Sequence, residues 1–239
     1  VEYGESATGP AYGGERADVL DDLAGLLAGR EVPHTLRVAV DGPDAAGKTR
    51  LTADLAAALA ARHPAVPVVR VSMDDFHRPR VQRQQRGPLS PEGYYLDAFD
   101  HEAFVTGVLR PLGPGGDGWY RTAAHDLATD RPVDEPPRRA EPGSVLLVDG
   151  VFLLRPELRD HWDCAIYLHV EPAETLRRAQ VRDERVFGSR EAVRERYAAR
   201  YLPGQELYRA RGRPLERADV VLDLTDPLRP AVLRRPERG

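Results

Sequence analysis

Lysine is almost absent from this chain: of 34 basic residues only Lys48 is a lysine, and the rest are arginines. Cysteine is as scarce, with Cys164 alone, which excludes a disulfide framework and any zinc site built from cysteines. No apolar run approaches the ~20 residues that a membrane-spanning helix needs. The first residues are Gly-rich and acidic, unlike the basic-then-apolar order of a signal peptide. A cytoplasmic protein with no membrane partner is expected. An excess of positive charge is missing too. At net −4 with 30% charged residues, the chain has no global field with which to hold nucleic acid, so no nucleic-acid partner is expected.

What is present is enough for a packed sheet. The 239 residues, 41% of them hydrophobic, fit one α/β domain with elaborations or two small ones. The organising stretch is Leu36-Arg37-Val38-Ala39-Val40-Asp41-Gly42-Pro43-Asp44-Ala45-Ala46-Gly47-Lys48-Thr49. An apolar run ends in G-x-x-x-x-G-K-T, and an Ala/Leu-rich helical pattern follows over residues 50–62. Strand, loop and helix in that order are the context a phosphate-binding loop (P-loop) requires. Gly42 and Gly47 let the backbone curl so that N–H groups of Asp44, Ala45, Ala46, Gly47, Lys48, Thr49 and Arg50 can turn toward phosphate oxygens. The helix adds its positive N-terminal end. Lys48 supplies a compact ammonium to the outer phosphates, and the Thr49 hydroxyl suits Mg²⁺. That the one retained lysine stands here fits the chemistry, because a planar guanidinium cannot replace a point charge inside a closed loop.

Around this centre, residues 1–16 have no periodicity and are expected to form a mobile arm. Residues 18–28 have helical spacing, with Asp18 as N-cap and Gly29 as stop. Val68–Ser72 reads as a second strand and runs into Met73-Asp74-Asp75-Phe76-His77. Ligands in open parallel sheets sit beyond the carboxyl ends of the strands, so these acids should face the P-loop. Asp74 is the candidate base and metal neighbour, and Asp75 is expected to cap the next segment. Residues 78–142 form an excursion too long for an ordinary connection and are expected to bind the substrate. Within it a helix is expected over residues 100–109, and Tyr95 and Phe99 are expected to pack the insert onto the body.

Val145–Gly150 is a buried strand ending in an acid, so Asp149 is a candidate for the Mg²⁺ shell. Residues 164–170 read as a fourth strand, with Cys164 as a small core residue. The helix over residues 173–187 carries Arg177, Arg178, Arg182 and Arg185. These either form a solvated face of Arg/Glu pairs or serve a lid, in which Arg182 and Arg185 would close on a transferring phosphoryl group. A second helix, over residues 191–201, should end at Pro203-Gly204, giving a lid and following helix over 173–203. Residues 218–223 read as a fifth, edge-side strand, and 227–239 as a Pro/Arg-rich tail that is surface-bound or disordered.

Taken together these elements resemble the uridine kinase / phosphoribulokinase group of P-loop kinases over about residues 36–227. The resemblance rests on the P-loop, on Ser72-Met73-Asp74-Asp75-Phe76-His77, and on Phe99-Asp100-His101. It also rests on Val148-Asp149-Gly150-Val151-Phe152-Leu153-Leu154 with the Pro-Glu-Leu-Arg-Asp that follows, and on Arg182-Asp183. It implies a single P-loop kinase domain over 1–239, a three-layer α/β sandwich with a five-stranded parallel sheet and a helical lid. ATP and Mg²⁺ would be the cofactors and a homo-oligomer an admissible assembly. By the same resemblance Asp74 is the general base, Asp149 (usually Glu there) belongs to the metal shell with Thr49, and Asp100 holds sugar hydroxyls.

Two positions depart from the group. His77 stands where uridine kinases carry tyrosine, and His125-Asp126-Leu127 with Asp130 replaces a Tyr-Asp-Phe…His segment that reads the base. Asp130 would favour hydrogen-bond donors on the substrate. His77, Asp100, His125 and Asp130 are therefore the expected acceptor contacts. The leading expectation is transfer of the γ-phosphoryl group of ATP to a primary hydroxyl, first of uridine or cytidine. A kinase for pantothenate, a sugar or a specialised metabolite is the alternative. A nucleotide-hydrolysing switch is disfavoured, because the guanine-reading Asn-Lys-x-Asp needs a lysine and the only one is in the P-loop. A nucleotide-binding protein without catalysis is a further class.

Overall fold

Alternation along the central strands sends successive side chains to two different cores. The computed structural model describes residues 12–236. In order, its elements are β1 (Tyr12–Gly13), α1 (Arg16–Ala28), β2 (Leu36–Asp41), α2 (Lys48–Arg62) and β3 (Val68–Ser72). The insert follows with α3 (Arg80–Arg83), α4 (Pro91–Asp97), α5 (His101–Phe104), β4 (Trp119–Tyr120), β5 (His125–Asp126), β6 (Arg131–Pro132) and β7 (Arg138–Arg139). Then come β8 (Val145–Gly150), β9 (Cys164–His169), α6 (Pro172–Arg182), α7 (Glu184–Phe187), α8 (Arg190–Arg196), α9 (Leu202–Gly212), α10 (Pro214–Arg217), β10 (Val220–Asp223) and β11 (Ala231–Arg234).

One seven-stranded sheet runs β1-β11-β10-β9-β2-β8-β3. β10, β9, β2, β8 and β3 are mutually parallel, as the five apolar runs imply, while β11 and β1 add antiparallel strands outside β10. β10 is therefore not an edge strand. The expected tail contributes β11 because Val232 is buried against the sheet despite its Pro/Arg-rich surroundings. Residues 12–13 of the expected arm pair with β11, and residues 1–11 and 237–239 lie outside the described residues.

Every residue of β2 and β8 is buried, as expected of parallel strands covered on both faces. Val38, Val40, Leu147 and Ile166 face one core with Leu23 and Leu27 of α1 and Leu51, Leu55 and Leu59 of α2. Ala39, Leu146, Val148 and Tyr167 face the other, built with Met73, Tyr95, Phe99, Phe104, Phe152 and Tyr208. Each fully buried Leu or Phe contributes about 1.5–3 kcal/mol of transfer free energy. Tyr95 and Phe99 do pack the insert onto the sheet, both 2% exposed. A third, smaller cluster of Ala179, Val193 and Tyr197 ties α6 to α8. No helix among the described residues is long and apolar enough to cross a membrane.

Several local expectations change. Glu15, not Asp18, occupies the N-cap of α1, and Asp18 lies in its first turn; Gly29 does end it. Asp75 caps nothing: the short turn Met73–Phe76 is capped by Ser72, whose hydroxyl accepts from Asp74 N at 3.4 Å. The helix of the insert starts as expected with Asp100 accepting from Ala103 N at 2.9 Å, then widens into a π turn over Val105–Leu109. The expected lid helix breaks at Asp183 into α6 and α7. Pro203 does not stop its helix. A π turn over Tyr197–Tyr201 precedes it, and the backbone stays helical through Leu202 into α9, with the proline just after the widened turn.

Candidate functional site

Register along the sheet brings the polar residues together. Val40, Asp149 and Ser72 are cross-strand partners on β2, β8 and β3, so the three strands end at one level and the P-loop rises from it. Gly42 is required there by close approach: a Cβ would meet the Leu168 carbonyl oxygen at 2.9 Å. Gly47 has φ +93° and hands the chain to α2, and Ala45 (φ 58°) shares the left-handed conformation that turns amides inward. Lys48 Nζ donates to the carbonyls of Gly42 (3.0 Å) and Pro43 (2.8 Å), folded across the loop.

A cavity of about 340 Å³ opens above, walled by Asp44, Gly47, Lys48, Thr49, Asp74, Asp149 and Arg182; Ala45 and Arg50 also reach it, while Ala46 is buried behind the loop. Thr49 Oγ1 donates to Asp149 Oδ2 at 2.7 Å, and Ser72 Oγ lies 3.5 Å from the same oxygen. Hydroxyl and carboxylate oxygens are the hard donors magnesium takes, and it usually completes its shell with substrate phosphates and water. Thr49, Asp149 and Asp74 thus fit Mg²⁺. Among the described residues no three His, Cys, Asp or Glu side chains form a metal cluster of their own. Asp75 is raised above the usual carboxylate range, first by burial and then by the charges of Asp74 and Asp149. A larger cavity of about 610 Å³, lined by Arg37, Arg110 and His161, is built from other elements and has none of this chemistry.

Arg182 reaches the cavity from the last turn of α6. Its guanidinium grips Asp183 through Nε (2.6 Å) and Nη2 (2.9 Å), and Nη2 also donates to Tyr197 Oη at 3.3 Å. Asp183 holds its pKa above the ordinary arginine value, so it stays charged. Arg185, on α7, is exposed and does not line the cavity. Arg177 pairs with Glu174 on the solvated face, whereas Arg178, also paired with Glu174, is largely covered and donates to the carbonyls of Leu224 (2.7 Å) and Thr225 (3.0 Å).

The expected acceptor residues gather beside the Asp74 turn but are engaged with one another. His77 Nδ1 donates to Asp74 O at 2.7 Å and its ring packs on Phe99, centroids 4.4 Å apart. Burial lowers its pKa, which keeps it neutral at pH 7. His125 bonds through Nε2 to Asp130 Oδ1 at 3.0 Å, and that oxygen also accepts from Arg80 N at 2.9 Å. Those two contacts depress the Asp130 pKa. Ala124 N donates to Asp75 O at 2.9 Å, which holds the His125 strand against the turn. Asp100 spends one oxygen on capping α5.

Two carboxylates have side-chain roles to which the sequence does not point, although the Asp44 amide is expected to turn toward the phosphates. Asp41, fully buried at the root of the loop, accepts from Gly42 N (2.8 Å), Leu154 N (3.4 Å) and the Tyr208 hydroxyl of α9. Burial raises its pKa to about 6, against the lowering pull of Tyr208 and Lys48. Asp44 Oδ2 accepts from Tyr94 Oη (2.8 Å) and Gln205 Nε2 (3.1 Å). Only the acid beside the glycine was a usable sequence signal; Leu154 and Tyr208 lie 113 and 167 residues on from Asp41, and Tyr94 and Gln205 lie 50 and 161 residues on from Asp44.

No family model matches the chain, and no curated protein matches it. Solved structures do. A possible uridine kinase from Bacillus stearothermophilus superposes with a TM-score of 0.67 at 22% identity, over 85% of this chain and 97% of that one. A candidate fructose transport system kinase from Silicibacter sp. TM1040 gives 0.66 at 26% identity, over 82% and 94%. The chain has the P-loop kinase fold. D-glycerate 3-kinase from Cryptococcus neoformans is similar at 0.56 and 14% identity, over 87% and 92%. The fold is thus shared with proteins whose described acceptors differ.

Proposed function

We propose that this chain is a small-molecule kinase that uses ATP and Mg²⁺ to phosphorylate a primary hydroxyl. The observation that carries the reading is the single cavity in which Lys48, Asp74, Arg182 and the Thr49–Asp149 pair meet. The loop amides and Lys48 would hold the triphosphate. Thr49, Asp149 and Asp74 would hold magnesium, which when bound neutralises phosphate charge and fixes the phosphate oxygens in place. Asp74 orients the acceptor hydroxyl and takes its proton. Arg182, already charged, exchanges Asp183 for the equatorial oxygens of the group in flight, and Arg185 approaches only if the lid closes further.

Uridine and cytidine are the first acceptors to try. A sugar or related polyol is the second reading, supported by His77 and by the His125–Asp130 pair in place of base-reading groups, and by the likeness to the candidate fructose transport kinase at 26% identity. ADP release measured with each acceptor tests the reading: acceptor-dependent release is expected, and acceptor-independent release would point to a switch instead. Asp74→Asn should keep ATP binding and lose about 10²–10⁴-fold in turnover. Near-normal turnover in that variant would remove Asp74 as the base.

A further inference from the structure

Away from the P-loop, the amino ends of the parallel strands border the cavity of about 610 Å³. Arg37 stands second in β2, and the P-loop leaves the other end of that strand. Three parts of the chain meet around the cavity. β2 brings Arg37, the insert brings Thr106, Arg110 and the glycine-rich loop after them, and the turn Arg159–His161 before β9 brings His161. A hollow of this size takes a whole small molecule rather than a lone ion.

The wall is cationic and partly unsatisfied. Arg37 commits Nε (2.9 Å) and Nη2 (3.0 Å) to Asp163, which leaves Nη1 with one long bond to Leu109 O at 3.4 Å. A Cβ at Gly113 would stand 2.6 Å from that Nη1, so a glycine lets the lining loop approach the guanidinium. Arg110 is exposed, and neither its side chain nor the His161 ring makes a hydrogen bond or ion pair among the described residues. Burial lowers the His161 pKa, Arg37 and Arg110 push it the same way and Asp160 opposes them, so the ring is neutral at pH 7. Asp117 is the one acid on the wall among the described residues, and its Oδ1 accepts from Trp119 N at 3.0 Å.

The backbone holds these groups in place. Arg110 N closes the π turn on Val105 O at 2.9 Å, and the same turn supplies the Leu109 carbonyl that receives Arg37. Such turns are rare and concentrate at functional sites. Guanidinium groups suit phosphate oxygens, to which they present paired N–H donors. A neutral imidazole adds one N–H and takes a second proton once a dianion lies beside it. Donors arriving from three directions match the tetrahedral oxygens of a phosphate better than the flat pair of a carboxylate.

We propose that this cavity is a second ligand site, which holds the phosphate group of a phosphate-bearing small molecule between Arg37, Arg110 and His161. None of its residues lines the P-loop cavity, so the proposal stands apart from the kinase reading and its test needs no turnover.

The first probe is inorganic phosphate, titrated into the full chain at constant ionic strength while NMR follows the histidine ring protons. The His161 signal is the one missing from His161→Gln. Phosphate is expected to shift that signal saturably and to raise the His161 pKa by about 1. Arg110→Gln should demand about tenfold more phosphate or beyond, whereas Lys48→Ala, which strips the P-loop of its ammonium, should change nothing. Acetate at the same ionic strength should leave the signal in place. D-Ribose 5-phosphate should saturate it at lower concentration than the bare ion, because the cavity has room for the sugar. No shift, a shift without saturation, one that acetate reproduces or one lost in Lys48→Ala would overturn the site. Equal saturation in Arg110→Gln would overturn it as well, and so would an ester that binds no tighter than inorganic phosphate. Melting curves establish that Arg110→Gln folds; if it does not, Arg110→Lys, which keeps the charge and loses the paired donors, carries the comparison.

Discussion

Asp41 shows how much one side chain can impose on a site. A carboxyl held at about 6 in the folded chain, against an ordinary value of 3.8, binds its proton more tightly folded than unfolded. Stability from this group is therefore fully present below about pH 4 and declines as pH rises to 6. The difference amounts to about 3 kcal/mol. Asp41→Asn cannot titrate, so the melting temperature of the variant minus that of wild type should climb by several degrees between pH 4 and 6 and then level off. A flat difference across that range would mean the carboxyl is ordinary. Only half of this centre could be read in advance. Gly42, Lys48 and Thr49 announce themselves by spacing, whereas Tyr208 reaches Asp41 across 167 residues and Gln205 reaches Asp44 across 161. No local pattern encodes such pairs.

At the scale of elements, the lid has its own small core. Ala179, Val193 and Tyr197 pack with one another apart from the two clusters that sandwich the sheet. An element held by few buried contacts opens at lower free energy than the body. Amides of α6 and α8 should exchange with deuterium well before those of β2 and β8, and Val193→Ala should accelerate the first set while leaving the second unchanged. Uniform acceleration would tie the lid to global unfolding. The lid was legible as a helix rich in arginine, but not as two helices hinged at Asp183, because propensity alone does not say where a guanidinium will seize the next residue. The five parallel strands were legible since each is a short apolar run. β11 was not: Ala231-Val232-Leu233-Arg234 sits among prolines and arginines, and only pairing with β10 and β1 makes it a strand.

For the molecule as a whole, stability lies in the layers on either side of the sheet, and α2 joins them to the site because it begins at Lys48. Leu55→Ala removes a fully buried side chain from that layer and should cost about 2–5 kcal/mol in urea unfolding. A loss below about 1 kcal/mol would mean that the layer collapses around the gap. The resemblance to P-loop kinases was legible at this scale because a motif and the order of strands survive where other similarity does not. The acceptor was not, because it is chosen by loops and by contacts between distant elements.

The chain's near-exclusive use of arginine has a practical corollary. To an acylating reagent the folded surface is almost silent, since guanidinium groups do not react under mild conditions, and a single ε-amine remains, bent over the glycine loop. Adduct formation at that nitrogen, followed by peptide mapping, becomes a built-in gauge of occupancy. It should fall as Mg-ATP saturates the cradle, and modification that Mg-ATP leaves undiminished would mean that the ammonium never meets the phosphates.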